Sequence, residues 1–226
     1  MEESKKIFKI AIIGGTGKEG KGLAYRWANA GHSVIIGSRN LEKAQKAVED
    51  LKPLLRVSTD LKGMENEEAV SNCDIAVLTV PFSAHKDTLL GLRGQLAGKI
   101  LIDVSVPINP DKVTRVSMPP EGSAGLQALS ILGKDSLVAT AFQNISYERL
   151  ISQEKIECDV LVCGNGKTVR QVVLGLVKDA GLKGWDAGVL DNSMVVEGLT
   201  SILIGLNIQN KVPSSGIRIT GIDRAE

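Results

Sequence analysis

Apolar and polar positions along this chain fall into blocks that predict strands and helices in alternation. Runs of mostly apolar residues, many of them β-branched, have the length of strands buried on both faces and lie at 7–13, 33–37, 74–81 and 99–107. Helical segments are predicted between them at 21–30, 41–54, 65–71 and from Phe82 to about Leu92. This alternation predicts an α/β protein with a Rossmann-type, doubly wound and mostly parallel sheet.

The second half of the chain continues the alternation at lower regularity. Strands are predicted at 136–141, 158–164 and 184–188, and helices at 122–132, 168–180 and 190–210, with an irregular loop at 109–120. The helix at 190–210 is apolar nearly all round, so we expect it to be buried in a small C-terminal helical lobe or in a dimer interface. Residues 214–220 alternate like a short edge strand. The predicted division is 1–156 for a nucleotide-binding domain and 157–226 for the lobe.

The first strand runs directly into a glycine-rich turn. Gly15, Gly17 and Gly20 have the spacing G-x-G-x-x-G, between a predicted strand and a predicted helix. In that context the first glycine permits a tight turn, the second lets a pyrophosphate approach the backbone, and the third lets the helix pack close to the strand. Free N–H groups at the helix start favour an anion there. The motif predicts a dinucleotide site.

The end of the second strand predicts which dinucleotide is bound. An acidic residue there would bind the ribose 2′-hydroxyl of NAD, but this chain has Ser38-Arg39-Asn40, with Lys43 following. A guanidinium, a hydroxyl and an ammonium suit a 2′-phosphate, so we predict NADP(H). The alternative interpretation is a solvated loop in which Ser38 or Asn40 caps the next helix.

The ends of the later strands should line the same crevice. Val80, Phe82 and Val106 follow two predicted central strands, so we expect an apolar wall beside the cofactor. His85 could donate a proton, although a lone histidine in the first turns of a helix is more often at the surface or at the edge of a cofactor. The segment 142–146 presents amide side chains that would suit a polar ring edge or would only cap the next helix.

The composition of the chain argues against several classes of function. The chain has 226 residues with 27 basic and 26 acidic side chains, and a net charge of +1 gives no basic field for nucleic acid. Its apolar runs are too short or too interrupted for a membrane span, and no signal peptide is evident. The three cysteines show no metal-ligand spacing and indicate reduced thiols, so we expect a cytoplasmic protein without a metal site.

Several of these stretches together resemble the NADPH-dependent reductases of the deazaflavin coenzyme F420. The similarity covers residues 9–220 and is carried by Ile-Ile-Gly-Gly-Thr-Gly, Ile-Gly-Ser-Arg, Cys-Asp-Ile-Ala-Val-Leu-Thr-Val-Pro, Asp-Val-Leu-Val-Cys-Gly-Asn and Gly-Ile-Arg-Ile-Thr. The resemblance implies a pyrophosphate site at Thr16, Gly17, Lys18 and Glu19. It implies a 2′-phosphate site at Ser38, Arg39 and Lys43, and a nicotinamide wall at Val80, Phe82 and Val106. The deazaflavin would lie against residues 142–146, including Ser146, and against the tail at Ser215 and Gly216.

The implied reaction is hydride transfer between two stacked rings. Such a reaction needs the rings held about 3–3.5 Å apart at the reacting atoms and no nucleophile or acid–base pair, so no catalytic side chain is predicted. Two alternatives remain open. One is an NADP-dependent reductase of another acceptor, such as a flavin, a small hydroxy acid or an imine, and the other is a non-catalytic NADP(H)-binding redox sensor. We expect small-molecule ligands and a homodimer.

Overall fold

The computed structural model describes residues 5–152 and 154–222. Its strands are β1 (Lys9–Ile13), β2 (Ser33–Ser38), β3 (Leu61–Glu65), β4 (Ile75–Leu78), β5 (Ile100–Asp103), β6 (Leu137–Thr140), β7 (Asp159–Gly164) and β8 (Lys183–Gly188). Its helices are α1 (Lys18–Asn29), α2 (Leu41–Leu51), α3 (Asn66–Ser71), α4 (Phe82–Leu96), α5 (Ala124–Leu132), α6 (Tyr147–Ile151), α7 (Lys167–Asp179) and α8 (Ser193–Asn210). Short 3-10 turns follow α2 and precede α8.

All eight strands form one sheet in the order β3-β2-β1-β4-β5-β6-β7-β8. The pairs from β3 to β6 are parallel, β7 is antiparallel to β6, and β8 is parallel to β7. The order reverses between β1 and β4, and open sheets of this kind bind ligands at that point, outside the carboxyl ends of the strands. The predicted Rossmann-type fold with a mostly parallel sheet is therefore confirmed.

Two apolar layers cover the sheet. One layer packs α1, α2, α6 and α7 on one face, around side chains such as Leu23, Trp27 and Val173. The other packs α3, α4 and α5 on the opposite face, around Leu89, Leu96 and Ala128. The central strands are buried on both faces, which explains why β1 and β4 read as continuous apolar runs.

The C-terminal region differs from the sequence-based expectation in two respects. The tail at 214–220 is not a strand, because only Ile217 O accepts a backbone N–H from β7, while the N–H groups of Ile217 and Ile219 bond to the side chains of Cys158 and Asp159. The helix α8 is not buried all round, since Val195 is 69 % exposed. The predicted boundary at 156/157 falls between α6 and β7. One sheet contains strands from both sides of this boundary, so the division into two domains stays a prediction.

Candidate functional site

A cavity of about 790 Å³ lies at the carboxyl ends of β1, β2, β4 and β5. It sits at the point where the strand order reverses, as expected for a dinucleotide site. Ten of the residues that sequence reasoning selected line it together: Thr16, Gly17, Lys18, Glu19, Ser38, Arg39, Lys43, Val80, Phe82 and Val106.

The glycine-rich turn forms one wall of this cavity, and its packing leaves no room for side chains at three positions, Gly14, Gly15 and Gly20. Gly14 has φ +70°, and a Cβ there would lie 2.6 Å from Val80 Cγ1. A Cβ on Gly20 would lie 2.6 Å from the Cα of Gly15, so α1 packs directly on the turn. Gly15 itself is buried beneath the cavity and donates its N–H to Gly37 O at 2.9 Å. Gly17 is exposed at the cavity, where a pyrophosphate could approach its backbone.

The end of β2 supplies the cationic wall. Asn40 caps α2 by accepting the N–H of Lys43 at 2.9 Å, while the buried hydroxyl of Ser38 accepts the N–H of Asn40 at 3.2 Å. Arg39 and Lys43 are exposed and line the cavity. Capping therefore uses Asn40 and leaves the guanidinium and the ammonium available for an anion.

Glu19 is the one carboxyl group among the predicted pyrophosphate residues. Burial raises the pKa of Glu19 to about 8. Its Oε1 is buried and has no hydrogen-bond partner in the described part of the chain. At neutral pH this side chain is therefore mainly uncharged, which removes the repulsion that a carboxylate would exert on a bound phosphate.

The opposite end of the cavity is apolar. Val80 and Phe82 follow β4 and Val106 follows β5, so the segments after two neighbouring strands converge on one wall. Ser105 lies between them and donates its hydroxyl to Val80 O at 3.3 Å. Such a wall suits a flat aromatic ring, with backbone groups as the polar contacts.

His85 is neither at the surface nor at the edge of the cavity, contrary to the expectation from sequence. Its side chain is fully buried, with Nε2 2.7 Å from Asp103 Oδ2 and Nδ1 2.9 Å from Gln127 Oε1. Burial disfavours the charged ring, but the hydrogen bond and charge of Asp103 outweigh it and raise the pKa of His85. The ring contacts Phe82, with centroids 5.4 Å apart.

Several residues of the cavity were not singled out from the sequence, and two of them make polar contacts with the glycine-rich turn or β1. Asn66 begins α3 and accepts the N–H of Gly14 through Oδ1 at 3.3 Å. Thr79 follows β4 and donates to Ile13 O at 3.0 Å. Both lie at strand ends on the ligand-binding edge, and that position is the only signal in the sequence that could have selected them.

Ser146 and Ser215 are brought together, but in a second cavity of about 410 Å³. The loop before β7 and the tail complete this cavity, which includes Arg149 and Lys155. Asn144 also lines it and donates to Asp159 O at 2.7 Å. Within the segment 142–146, Asn144, Ile145 and Ser146 therefore face a space separate from the nucleotide cavity. Phe142 is fully buried and Gln143 donates to Asp103 O, so neither lines the second cavity.

Comparison with known proteins identifies the family. The profile described as "NADP oxidoreductase coenzyme F420-dependent" matches residues 9–107. The F420-dependent NADP reductase of Methanocaldococcus jannaschii is 39% identical over 223 residues, covering 95% of this chain and 99% of that protein. The protein of the same name from Methanothermobacter thermautotrophicus is 40% identical, covering 97% and 98%. This chain belongs to the F420-dependent NADP reductase family.

The fold agrees with that membership. A crystal structure of a candidate F420-dependent NADP-reductase from Arthrobacter sp. FB24 superimposes with a TM-score of 0.81 at 20% identity, covering 94% of this chain and 99% of the other. Within 5–152 and 154–222, no group of three or more metal-ligating side chains is assembled, and no helix has the length and hydropathy to cross a membrane.

Proposed function

We propose that this protein transfers a hydride between NADPH and the deazaflavin coenzyme F420. One observation carries the proposal: a single cavity joins the glycine turn, the cationic end of β2 and the apolar wall of Val80, Phe82 and Val106. That arrangement would fit the 2′-phosphate, the pyrophosphate and the nicotinamide of one NADPH molecule. The family names of the relatives supply the acceptor.

In this arrangement the side chains bind and orient, and no side chain takes part in bond making. The N–H groups at the start of α1 bind the pyrophosphate, while Ser38, Arg39 and Lys43 bind the 2′-phosphate. Val106 and Phe82 hold one face of the nicotinamide and exclude water from it. We assign the deazaflavin coenzyme to the second cavity, with Ser146 and Ser215. Its ring must extend from there to the nicotinamide wall, because hydride transfer needs the reacting atoms about 3–3.5 Å apart. Hydride transfer moves two electrons and one proton as a unit, so it needs only close and correctly angled rings.

The test follows NADPH oxidation by the purified protein with F420 as acceptor and, in parallel, with FMN. We expect saturable turnover with F420. Val106→Ala should lower the rate of hydride transfer by about tenfold because the nicotinamide loses its support, with NADPH affinity retained. The control is Val116→Ala, on the exposed part of the loop that follows β5. Tight NADPH binding without turnover on either acceptor would contradict the proposal and favour a redox sensor.

The place of the deazaflavin has its own test. Ser215→Tyr fills the second cavity, so the KM for F420 should rise by about tenfold or more while the Kd for NADPH stays within about twofold of wild type. Ser214→Ala removes a hydroxyl that accepts a hydrogen bond from Arg149 without filling space, and it serves as the milder variant. An unchanged KM for F420 in Ser215→Tyr would remove the second cavity from the proposal.

A homodimer is the second part of the proposal. Apolar residues form a helix-packing stripe along α8, with the alternating spacings of four and three residues that make up a seven-residue repeat: Val195, Leu199, Ile202 and Leu206. Three of them are exposed by 43–69%. Two copies packed through this stripe about a two-fold axis would bury it. Light scattering should give a dimer mass for the wild type and a monomer mass for Ile202→Glu/Leu206→Glu. The control is Leu90→Glu on α4, an equally exposed leucine.

The predicted cytoplasmic location is consistent with the three free cysteines and stays a prediction.

A further inference from the structure

His85 and Asp103 form a completely buried pair behind the apolar wall of the nucleotide cavity. Nε2 of the imidazole lies 2.7 Å from Asp103 Oδ2, and Nδ1 lies 2.9 Å from Gln127 Oε1. The amide of Gln127 is oriented by its own N–H group, which donates to Glu121 Oε2 at 3.2 Å. Because both ring nitrogens face oxygen acceptors, the imidazolium is the only form of the ring that donates to both. This geometry and the raised pKa of His85 favour the protonated ring, and with it a buried ion pair.

Asp103 connects three strand ends around this pair. Its Oδ1 accepts the N–H of Ser105 at 2.9 Å, and its backbone carbonyl accepts Gln143 Nε2 at 2.8 Å. Ser105 in turn donates to Val80 O. The segments that follow β4 and β5 are thus tied to the carboxylate of Asp103, and the segment that follows β6 is tied to its backbone carbonyl. Two of them carry the apolar wall, and the third begins the polar segment that leads to the second cavity.

His85 supports the wall directly as well. Its ring packs on Phe82 with a centroid separation of 5.4 Å, and Phe82 lines the cavity. The other elements packed around the pair contribute Gln127 from α5 and Glu197 from α8, and Glu197 also favours the charged form of His85 when it is ionised. The pair itself does not line the cavity, so it acts on the ligand only through the residues that it holds.

We propose that the His85–Asp103 pair is the positioning device for hydride transfer: it fixes Phe82, Ser105 and Val106 at the spacing that the nicotinamide ring needs. The inference rests on the proposed nicotinamide site. A displacement of about 1 Å at a reacting ring costs about a hundredfold in rate, whereas binding through the distant phosphates is unaffected. Loss of the pair should therefore appear in hydride transfer and not in NADPH affinity.

The chain contains a matched control for this pair. His32 is equally buried, and its Nε2 lies 2.9 Å from Asp179 Oδ2. This second pair joins the start of β2 to the end of α7, at the opposite edge of the sheet from the cavity. Breaking either pair should cost stability, but only the first should affect the reaction.

The experiment compares Asp103→Asn with Asp179→Asn in single-turnover NADPH oxidation by F420. We expect Asp103→Asn to slow hydride transfer by about tenfold to a hundredfold, with the Kd for NADPH within about threefold of wild type, and Asp179→Asn to leave both unchanged. If Asp103→Asn does not fold, the neutral double variants H85Q/D103N and H32Q/D179N give the same comparison, since neither leaves a buried charge unpaired. Equal rates in the two arms, or a loss confined to NADPH affinity, would overturn the inference.

Two further measurements show which part of the inference is wrong if it fails: the charge state of His85, the nicotinamide site or the positioning role. Nitrogen NMR at pH 6.5 should show both ring nitrogens of His85 protonated and His32 mainly neutral, because Asp103 raises the pKa of His85 while burial lowers the pKa of His32. A neutral His85 would remove the ion pair and the inference with it. If Val106→Ala leaves hydride transfer unaffected, the proposed nicotinamide site itself is wrong. If Val106→Ala slows the transfer and Asp103→Asn does not, only the positioning role fails.

Discussion

The ammonium of Lys18 donates a hydrogen bond to the hydroxyl of Tyr147 at 2.9 Å and lies 4.5 Å above the centre of the same ring. Lys18 belongs to the glycine-rich turn and lines the nucleotide cavity, whereas Tyr147 begins α6 directly after Ser146 of the second cavity. The hydrogen bond raises the pKa of Lys18, so the side chain stays charged at neutral pH. One contact therefore links the proposed sites of the two substrates.

Replacement of Lys18 tests that link. Lys18→Ala should raise the KM for NADPH and the KM for F420 together, by about three- to tenfold each, because it removes a charge near the pyrophosphate and frees α6. Arg39→Ala should raise only the KM for NADPH. Tyr147→Phe keeps the ring under the ammonium and loses the hydroxyl, so it should have a smaller effect on F420. Initial-rate kinetics with both substrates varied make the comparison. A change in the KM for NADPH alone in Lys18→Ala would show that the two sites are independent.

Coenzyme preference should depend on the exposed cations after β2. Arg39→Ala and Lys43→Ala each remove a charge that only NADPH uses, so the KM for NADPH should rise by about tenfold to a hundredfold in Arg39→Ala and less in Lys43→Ala. The kinetics with NADH should change by less than about twofold. The matched control is Lys46→Ala, one turn further along α2 and outside the lining of the nucleotide cavity. Equal losses with both coenzymes would argue against a 2′-phosphate site.

The sequence predicts the central sheet well because burial dictates its residues. β1 and β4 lie between two helical layers, and this requirement produces the apolar runs that mark them. Local pattern failed where a tertiary contact decided the outcome. Residues 214–220 alternate like a strand, but two of the N–H groups that a ladder would use bond to side chains of Cys158 and Asp159 instead.

In α8 and in the candidate site, too, local sequence pattern fails to predict features that depend on tertiary contacts. Within α8, Val195 is 69 % exposed and Glu197 is fully buried, the reverse of what their hydropathy indicates. The buried carboxylate is explained only by the N–H groups of Ala124 and Gly125, which belong to another helix. His85 and Asp103 are 18 residues apart, and only the packing of α4 beside β5 makes them partners. Motif spacing could select the proposed phosphate-binding residues because each proposed phosphate site is built from residues close together in the sequence.

Glu197 should make the stability of the fold depend on pH. Burial and the charge of Asp103 raise the pKa of Glu197 from 4.5 to about 8, although the N–H groups of Ala124 and Gly125 partly offset the shift. The folded state then binds this proton more tightly than the unfolded state does. The free energy of unfolding should therefore fall as pH rises from about 4.5 to about 8, by at most about 1.4 kcal/mol per pH unit, and level off above that range.

Urea unfolding of wild type and Glu197→Gln at pH 6 and pH 9 measures this contribution. The amide does not titrate, so the stability of Glu197→Gln relative to wild type should be higher at pH 9 than at pH 6. Glu68→Gln, an exposed side chain on α3, should show the same difference from wild type at both pH values. A pH-independent difference for Glu197→Gln would mean that Glu197 is ionised in the folded protein throughout this range, as it is in the unfolded chain.

Glu19 should make NADPH binding depend on pH. Because burial raises its pKa to about 8, the side chain is mainly neutral at pH 7 and ionises as pH rises through 8. An ionised carboxylate beside the pyrophosphate must take up a proton before NADPH binds well, so the Kd for NADPH should rise above pH 8 by up to about tenfold per pH unit. Glu19→Gln should bind NADPH with a Kd that is flat between pH 7 and pH 9. Glu49→Gln, exposed on α2, should follow the wild type. Fluorescence titration of NADPH across this range gives the three curves, and a flat wild-type curve would place the ionisation of Glu19 outside it.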